Sequence, residues 1–469
     1  MQRKELIVLS VLALSVGAAG GWYAGRKDAP VPVMTATPVP TTSPSSESSP
    51  ATPLAANKTY TDLVAEGDAQ RKAGRYEAAL LSYGKAIDSE PKRGEAFLGR
   101  GQAFLQTMDG GKAYDDFLTA AGITPDDTEA KTFLIPALIL QGKFDEAAVK
   151  TKETSGPVAT YYRAALQCSG GAFDPCRAEA GNLAKSNPPQ EVRQKAQRIL
   201  EAFKQFDLFS DGEDAHRRTL VAEALADNGD FALSERLLAN VVTQAKDYRD
   251  AWILLGYSRY NLRKYDAALD ALKRAQALDQ KKPETAYYTG LTYLKTGKRS
   301  EAVDYLRRAL DYGSTARLDI QKYLADTYVE MEDYDNALKY YLDIVNEGVS
   351  RDVTAYVRPM WVYIEIKKQP EKAVGLAQKA FDKFPNTAMG SNLLGWAQLA
   401  YGDLTEAEKN LSQALRLDPN LQAAYLNFGD LYVQQGKVAE AKRSYKQAYD
   451  LDPGGSIGTL AGNKYNSLP

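Results

Sequence analysis

This chain of 469 residues contains one histidine, His216, and two cysteines, Cys168 and Cys176. A single imidazole removes every Ser-His-Asp or Cys-His arrangement that does not pass through it, and it removes histidine-rich metal sites. His216 stands at the start of a helical pattern beside Arg217-Arg218, where a solvated side chain is expected. Two cysteines are too few to hold a metal ion. No glycine-rich phosphate loop follows a strand, because no strand pattern exists to carry one. The 58 lysines and arginines nearly balance the 60 aspartates and glutamates, and no basic stripe marks a nucleic-acid surface. The carboxylates are spread over solvated helix faces, so close pairs carry little meaning. The expectation is a chain without catalysis, cofactor or nucleic-acid partner.

What the sequence has is a period. Pro385, Pro419 and Pro453 stand 34 residues apart, and Pro91 and Pro125 keep the same interval. Leu394-Gly395, Gly402-Asp403-Leu404, Ala407, Leu411 and Ala414 lead up to Pro419. One period later Phe428-Gly429, Gly436-Lys437-Val438, Ala441, Tyr445 and Ala448 lead up to Pro453. Within each unit the apolar residues recur at spacings of three, four and seven, the mark of helices with one buried stripe. In the unit beginning at Arg249, Trp252, Leu255 and Gly256 share one face of a first helix. Lys264-Tyr265 makes the corner, and Ala268, Leu272 and Ala275 mark a second helix. Gly or Ala at the eighth and twentieth positions is expected to let two backbones approach. Proline after the second helix stops it, because proline cannot extend the hydrogen-bond ladder. One such pair cannot bury its apolar face alone, so neighbours share a continuous core.

These residues resemble the tetratricopeptide repeat (TPR) family. Tyr60–Arg93 matches its motif through Leu63, Gly67, Tyr76, Ala79, Tyr83, Ala86 and Pro91. Gly94–Asp127 matches through Phe97, Gly101, Phe104, Ala113, Phe117, Ala120 and Pro125. Further copies begin at Ala215, Arg249, Pro283, Leu318, Thr354, Ala388 and Gln422, and with two poorer copies the resemblance covers about four fifths of the chain. It implies an all-α fold, a right-handed α-solenoid of ten or eleven stacked helix-turn-helix repeats.

The pattern weakens in places. Thr128–Gly156 is five residues short, which predicts a clipped second helix. Pro157–Gln190 keeps Gly171, Phe173 and Pro188 and puts Cys176 at a small-residue position. Glu191–Asp214 fits no repeat; Val192, Ala196, Ile199, Leu200 and Phe203 predict one amphipathic helix, followed by a loop at Ser210–Asp214. The expected organisation is therefore an anchor or signal segment at 1–27 and a Pro/Ser/Thr-rich linker at 28–57. A repeat block at 58–190 with two regular and two degenerate copies and an irregular spacer at 191–214 follow. A second repeat block at 215–455 ends in a tail at 456–469, which is expected to be partly disordered after Gly454-Gly455.

The N-terminus bears on location. Leu6–Tyr23 is a nearly uncharged apolar run after Arg3 and Lys4, long enough to span a bilayer, although Val16-Gly17-Ala18 also fits a cleavage site. The favoured expectation is an uncleaved anchor with the repeats outside the cytoplasm, and secretion after cleavage is the alternative. No cysteine follows the run, which excludes lipoprotein attachment. The segment at 28–57 is expected to act as an extended spacer, at ~3 Å per residue. Cys168 and Cys176 lie across a helix–helix corner, where a disulfide and two buried thiols are both open.

The resemblance also implies a working surface. In the family, positions 2, 5, 6, 9, 12 and 13 of the first helix face a concave groove that holds peptides or partner helices. Here those positions give Tyr257, Tyr260, Tyr287, Tyr288, Lys322, Tyr323, Arg358, Asn392, Trp396 and Asn427. Tyrosine offers a rigid apolar body with a polar tip, and asparagine can pair with a peptide backbone. The family's carboxylate-clamp pattern is not met: Lys322 is followed by Asp326, and Asn392 by Trp396. The expected function is a membrane-tethered, non-catalytic scaffold for envelope proteins, with a homo-oligomer through the solenoid end left open. The alternatives are a cell-envelope carbohydrate binder and an accessory subunit that positions a membrane enzyme.

Overall fold

The structure, a computed structural model, describes residues 58–469 apart from 127, 209–212, 347–351 and 454. The expected anchor and linker lie outside the described residues, as does most of the loop at Ser210–Asp214. Among the described residues, all regular structure is helical, with eleven helical pairs and two single helices. The chain divides into two compact units, the first ending at Thr315 and the second running Ala316–Pro469. Each unit is a solenoid of stacked pairs. The division falls within the run of repeats, and residues 191–214 lie inside the first unit.

Every corner has the same backbone. The fifteenth residue of all eleven copies has a positive φ: Gly74, Gly142, Gly171, Gly229, Gly297, Gly402 and Gly436, but also Met108, Arg263, Glu332 and Lys368. This left-handed residue closes the first helix and turns the chain into the second. Three of the second helices are capped by the residue before them, where Asp109, Asp333 and Asp403 accept from the amides of Lys112, Asn336 and Glu406.

The small residue at position eight has a different task from the expected one. A Cβ at Gly67 would lie 2.7 Å from Tyr83 Cε1, one at Gly101 2.6 Å from Phe117 Cε1, and one at Gly256 2.6 Å from Leu272 Cγ. Glycine there makes room for the large side chain at position 24 of the second helix, and not primarily for a second backbone. Where position 24 is tyrosine, its hydroxyl meets an aspartate at position nine. Tyr83 donates to Asp68 at 2.6 Å and Tyr341 to Asp326 at 2.5 Å. In two other repeats an arginine at position seven reaches an acid at position 23. Arg100 binds Asp116 through two bonds of 2.8 Å, and Arg163 binds Glu179 at 2.5 Å.

The irregular stretches have local causes. The second helix of the short copy is Phe144–Glu153, ten residues, as its length requires. The first helix of the copy beginning at Thr354 is broken into a 3-10 turn Val353–Tyr356, an α-turn Val357–Trp361 and a π-turn Val362–Ile366. Pro359 within it supplies no amide hydrogen and obstructs the turn before it. Helix Gln190–Asp207 packs between Phe173–Lys185 and Asp214–Asp227, so one long helix stands where a pair would. Beside it Tyr161 donates to the buried Asp230 carboxylate and accepts from Asn228 Nδ2 at 2.9 Å. Asn228 also donates to the Lys195 carbonyl at 3.0 Å and accepts from Arg198 at 2.9 Å. Nearby, Cys168 and Cys176 are joined by a disulfide, with both side chains fully buried.

Two expectations are corrected. The tail forms helix Ser456–Ser467, which packs on Gln422–Gln434 and Val438–Leu451 where the next first helix would lie. Ala461 is fully buried there, and Lys464 Nζ reaches Asp430 at 2.6 Å. His216 is half-buried rather than solvated, with Nδ1 3.1 Å from the Tyr248 hydroxyl.

Candidate functional site

Within the first unit, consecutive first helices touch one another: Tyr60–Lys72 meets Gly94–Gln106, and Arg249–Asn261 meets both Asp214–Asp227 and Pro283–Lys295. Second helices pack on the first helix of their own repeat and, as Tyr76–Ser89 does on Gly94–Gln106 and Phe231–Gln244 on Arg249–Asn261, on the first helix of the next. The first helices therefore form one row, backed by the second helices, and this row is the surface on which the expected residues fall. The second unit repeats the arrangement, with Gln422–Gln434 between Ala388–Tyr401 and Ser456–Ser467.

In the first unit three of the four tyrosines, Tyr257, Tyr287 and Tyr288, form a connected aromatic group. Ring centroids of Tyr257 and Tyr288 lie 4.9 Å apart, and those of Tyr287 and Tyr288 5.4 Å apart. Phe231 meets Tyr257 edge-on at 5.7 Å, and Tyr260 leans on Tyr265 at 6.0 Å. Tyr257 and Tyr260 are half-buried, whereas Tyr287 and Tyr288 are only 8% and 4% exposed. Of the four expected groove tyrosines, Tyr257 and Tyr260 thus reach the surface, while Tyr287 and Tyr288 lie beneath it as a floor. Burial pushes the Tyr257 and Tyr288 hydroxyls well above the usual phenol range.

Sequence reasoning missed Asp227. Its carboxyl is pushed up to about 6 by burial, against the pull of the Arg198 guanidinium. Its charge bears on the phenols of both Tyr257 and Tyr288. The signal was present, since Glu223 and Asp227 occupy positions nine and thirteen of the copy beginning at Ala215.

In the second unit Tyr323 is 40% exposed, and Arg358 and Trp396 are half-buried. Arg358 sits in the broken helix, close enough for its charge to pull down the Tyr341 hydroxyl, which burial and Asp326 raise far more. The asparagines are corrected. Asn427 Nδ2 donates to Asn392 Oδ1 at 2.9 Å, and both side chains are buried. They bond each other across a repeat boundary, so they do not stand open to a peptide backbone. Among the described residues, no group of three or more His, Cys, Asp and Glu is placed to hold a metal ion. No helix among them is long and apolar enough to cross a membrane; Leu6–Tyr23 lies outside them.

Models of the tetratricopeptide repeat match residues 64–128, 221–283, 287–350 and 368–422, and a second model of the same repeat matches 398–456. The first alone covers more than half of the chain. The chain belongs to the tetratricopeptide repeat family. It is 30% identical over 133 residues to the TPR repeat-containing protein MJ1428 of Methanocaldococcus jannaschii, covering 28% of this chain and 22% of that one. It is 29% identical over 123 residues to the heat shock protein STI1 of Saccharomyces cerevisiae, covering 26% of this chain and 20% of that one. This TPR chain thus spans about a fifth of the length of the curated relatives it matches. Among solved structures, the C-terminal part of a TPR repeat-containing protein from Cytophaga hutchinsonii is similar at 18% identity and a TM-score of 0.42, over 52% of this chain and 98% of that one.

Proposed function

We propose that this TPR chain is a non-catalytic scaffold that holds extended segments or helices of partner proteins along its rows of first helices. The observation that carries this reading is the row itself, where half-buried Tyr257 and Tyr260 and exposed Tyr323 present aromatic surface on packed, rigid helices. Tyrosine binds with little loss of side-chain freedom, which suits a surface of distributed contacts. We further propose that the repeats work outside the cytoplasm, tethered by Leu6–Tyr23, with other envelope proteins as partners. The apolar run, the Pro/Ser/Thr-rich spacer and the Cys168–Cys176 disulfide, which suits an oxidising compartment, all favour this location.

The test is a photo-crosslinking amino acid placed in the full-length protein at Tyr260, at Tyr323, or at Leu81, which is exposed on a second helix. Partner adducts at Tyr260 and Tyr323 but not at Leu81 are expected. Adducts confined to Leu81 would move the working surface to the second helices.

A further inference from the structure

We infer that the row of first helices in the first unit binds an apolar helix, and that its occupant in the unanchored chain is this protein's own segment Leu6–Tyr23. This rests on the groove and tether readings above and adds a coupling between them. One segment cannot lie in a bilayer and in the groove at once, so anchoring frees the groove for a partner.

The first observation is burial around the whole of a helix. Nine successive residues, Glu284–Thr292, are buried in helix Pro283–Lys295, and eight, Thr219–Ala226, in helix Asp214–Asp227. A helix turns once in about 3.6 residues, so each run includes the groove-facing side. Helix Arg317–Glu330 shows the ordinary case, with Lys322 and Tyr323 exposed on that side. Among the described residues, Pro283–Lys295 packs mainly on Arg249–Asn261, its neighbour in the row, and on Tyr265–Leu278 and Arg299–Asp311 behind it. None of these lies over the groove side. Acids at groove positions are buried with it: Glu223, Asp250 and Glu284 are 6%, 8% and 9% exposed. Carboxylates on an open face stay hydrated, so their burial calls for a cover. Asp250 keeps Arg249 at 2.9 Å and Glu284 keeps Lys282 at 3.4 Å, ion pairs that offset the loss of water.

The second observation is what the chain has to offer as that cover. Apart from residues 1–57, only 127, 209–212, 347–351 and 454 lie outside the described residues, and these stretches are too short to cover three helices. Leu6–Tyr23 is 18 residues long and holds no Asp, Glu, Lys or Arg. As a helix it would measure about 27 Å. Three first helices side by side, at about 8–10 Å from axis to axis, present the same length. Asp214–Asp227, Arg249–Asn261 and Pro283–Lys295 are such a row, and Tyr287 and Tyr288 give it an apolar floor. The 34 residues between Tyr23 and Lys58 reach about 100 Å when extended, enough to carry the segment from Lys58 past several repeats to the covered helices.

The test uses the full-length chain made in a membrane-free translation extract, with and without vesicles of phosphatidylethanolamine and phosphatidylglycerol. A photo-crosslinking amino acid at Tyr257, between the two covered helices, is expected to join residues 6–23 of the same chain when no vesicles are present. With vesicles that crosslink is expected to be lost. The native chain gives a second reading without any substitution. Lys282, only 5% exposed, is expected to resist acetylation without vesicles and to react with them, as mapped by mass spectrometry. A crosslink from Tyr257 to any other part of the chain or to a second copy, or none at all, overturns the inference. So does a crosslink, or a protection of Lys282, that is the same in both conditions. If partner adducts still form at Tyr260 and Tyr323, the groove reading survives that result; if those fail as well, both readings fall.

Discussion

The Tyr445 hydroxyl donates to Asp430 Oδ1 at 2.5 Å while its ring lies against Gly429, where a Cβ would come within 2.2 Å of Cε1. A buried tyrosine needs an acceptor for its hydroxyl and space for its ring, and here one first helix supplies both. Gly429→Ala is expected to destabilise the last repeats by roughly 1–3 kcal/mol through overpacking. Tyr445→Phe is expected to cost less, about 1 kcal/mol, because Asp430 keeps Lys464. Urea unfolding of the two variants gives the order, and a reversed order would show that the hydroxyl matters more than the space for the ring.

Arg263 occupies the left-handed corner position that glycine fills in seven other copies, with a φ of 60°. A side chain there carries a steric cost of roughly 1–2 kcal/mol, partly offset by the extra freedom glycine has when unfolded. Arg263→Gly is expected to raise stability by up to about 1 kcal/mol, and Gly436→Ala to lower it by about as much. Thermal unfolding of both variants decides it; a loss of stability in Arg263→Gly would point to contacts of the arginine side chain.

Asp227 sets a dependence on pH. Its folded-state value, raised to about 6, exceeds that of an unfolded aspartate, near 4. The folded state therefore binds the proton more tightly, and this group's contribution to stability is present below about pH 4 and lost as pH rises through about 6. Asp227→Asn has no such loss, so the variant is expected to gain stability over the native chain between pH 4 and 7. A difference that stays constant across this range would mean that Asp227 titrates normally.

Removing the Cys168–Cys176 crosslink by the double change to alanine is expected to cost about 2–3 kcal/mol, since a short loop is closed in the unfolded chain. Reductant should lower the unfolding midpoint of the native chain and leave that of the double variant unchanged. The same sensitivity in both would show that the bond does not form in solution.

Much of the fold was legible because each repeat states its own local rules. The prolines at Pro91, Pro125, Pro385, Pro419 and Pro453, the glycines at Gly67 and Gly101 and the aromatics at Tyr83 and Phe117 all recur at a constant interval. Helix ends, corners and buried stripes follow from residues within one turn or one hairpin of each other. The clipped helix Phe144–Glu153 was visible as five missing residues.

The candidate site was less legible, because position in a repeat does not give exposure. Tyr257 and Tyr288 are both tyrosines at groove positions, yet one is half-buried and the other lies in the floor. Asn392 and Asn427, 35 residues apart, have the same freedom in sequence and are bound to each other in space. Asp227 looks like any surface acid in the sequence, yet burial in the folded chain pushes its carboxyl up to about 6.

The sequence by itself determined the period, the helical pairs and the family, because backbone geometry and the helical stripe depend on neighbours a few residues away. Only the tertiary structure decided which side chains remain available. It made the tail a packed helix and joined the two cysteines, and it raised the Asp227 carboxyl by burial, because burial depends on which distant surfaces the stacking brings together.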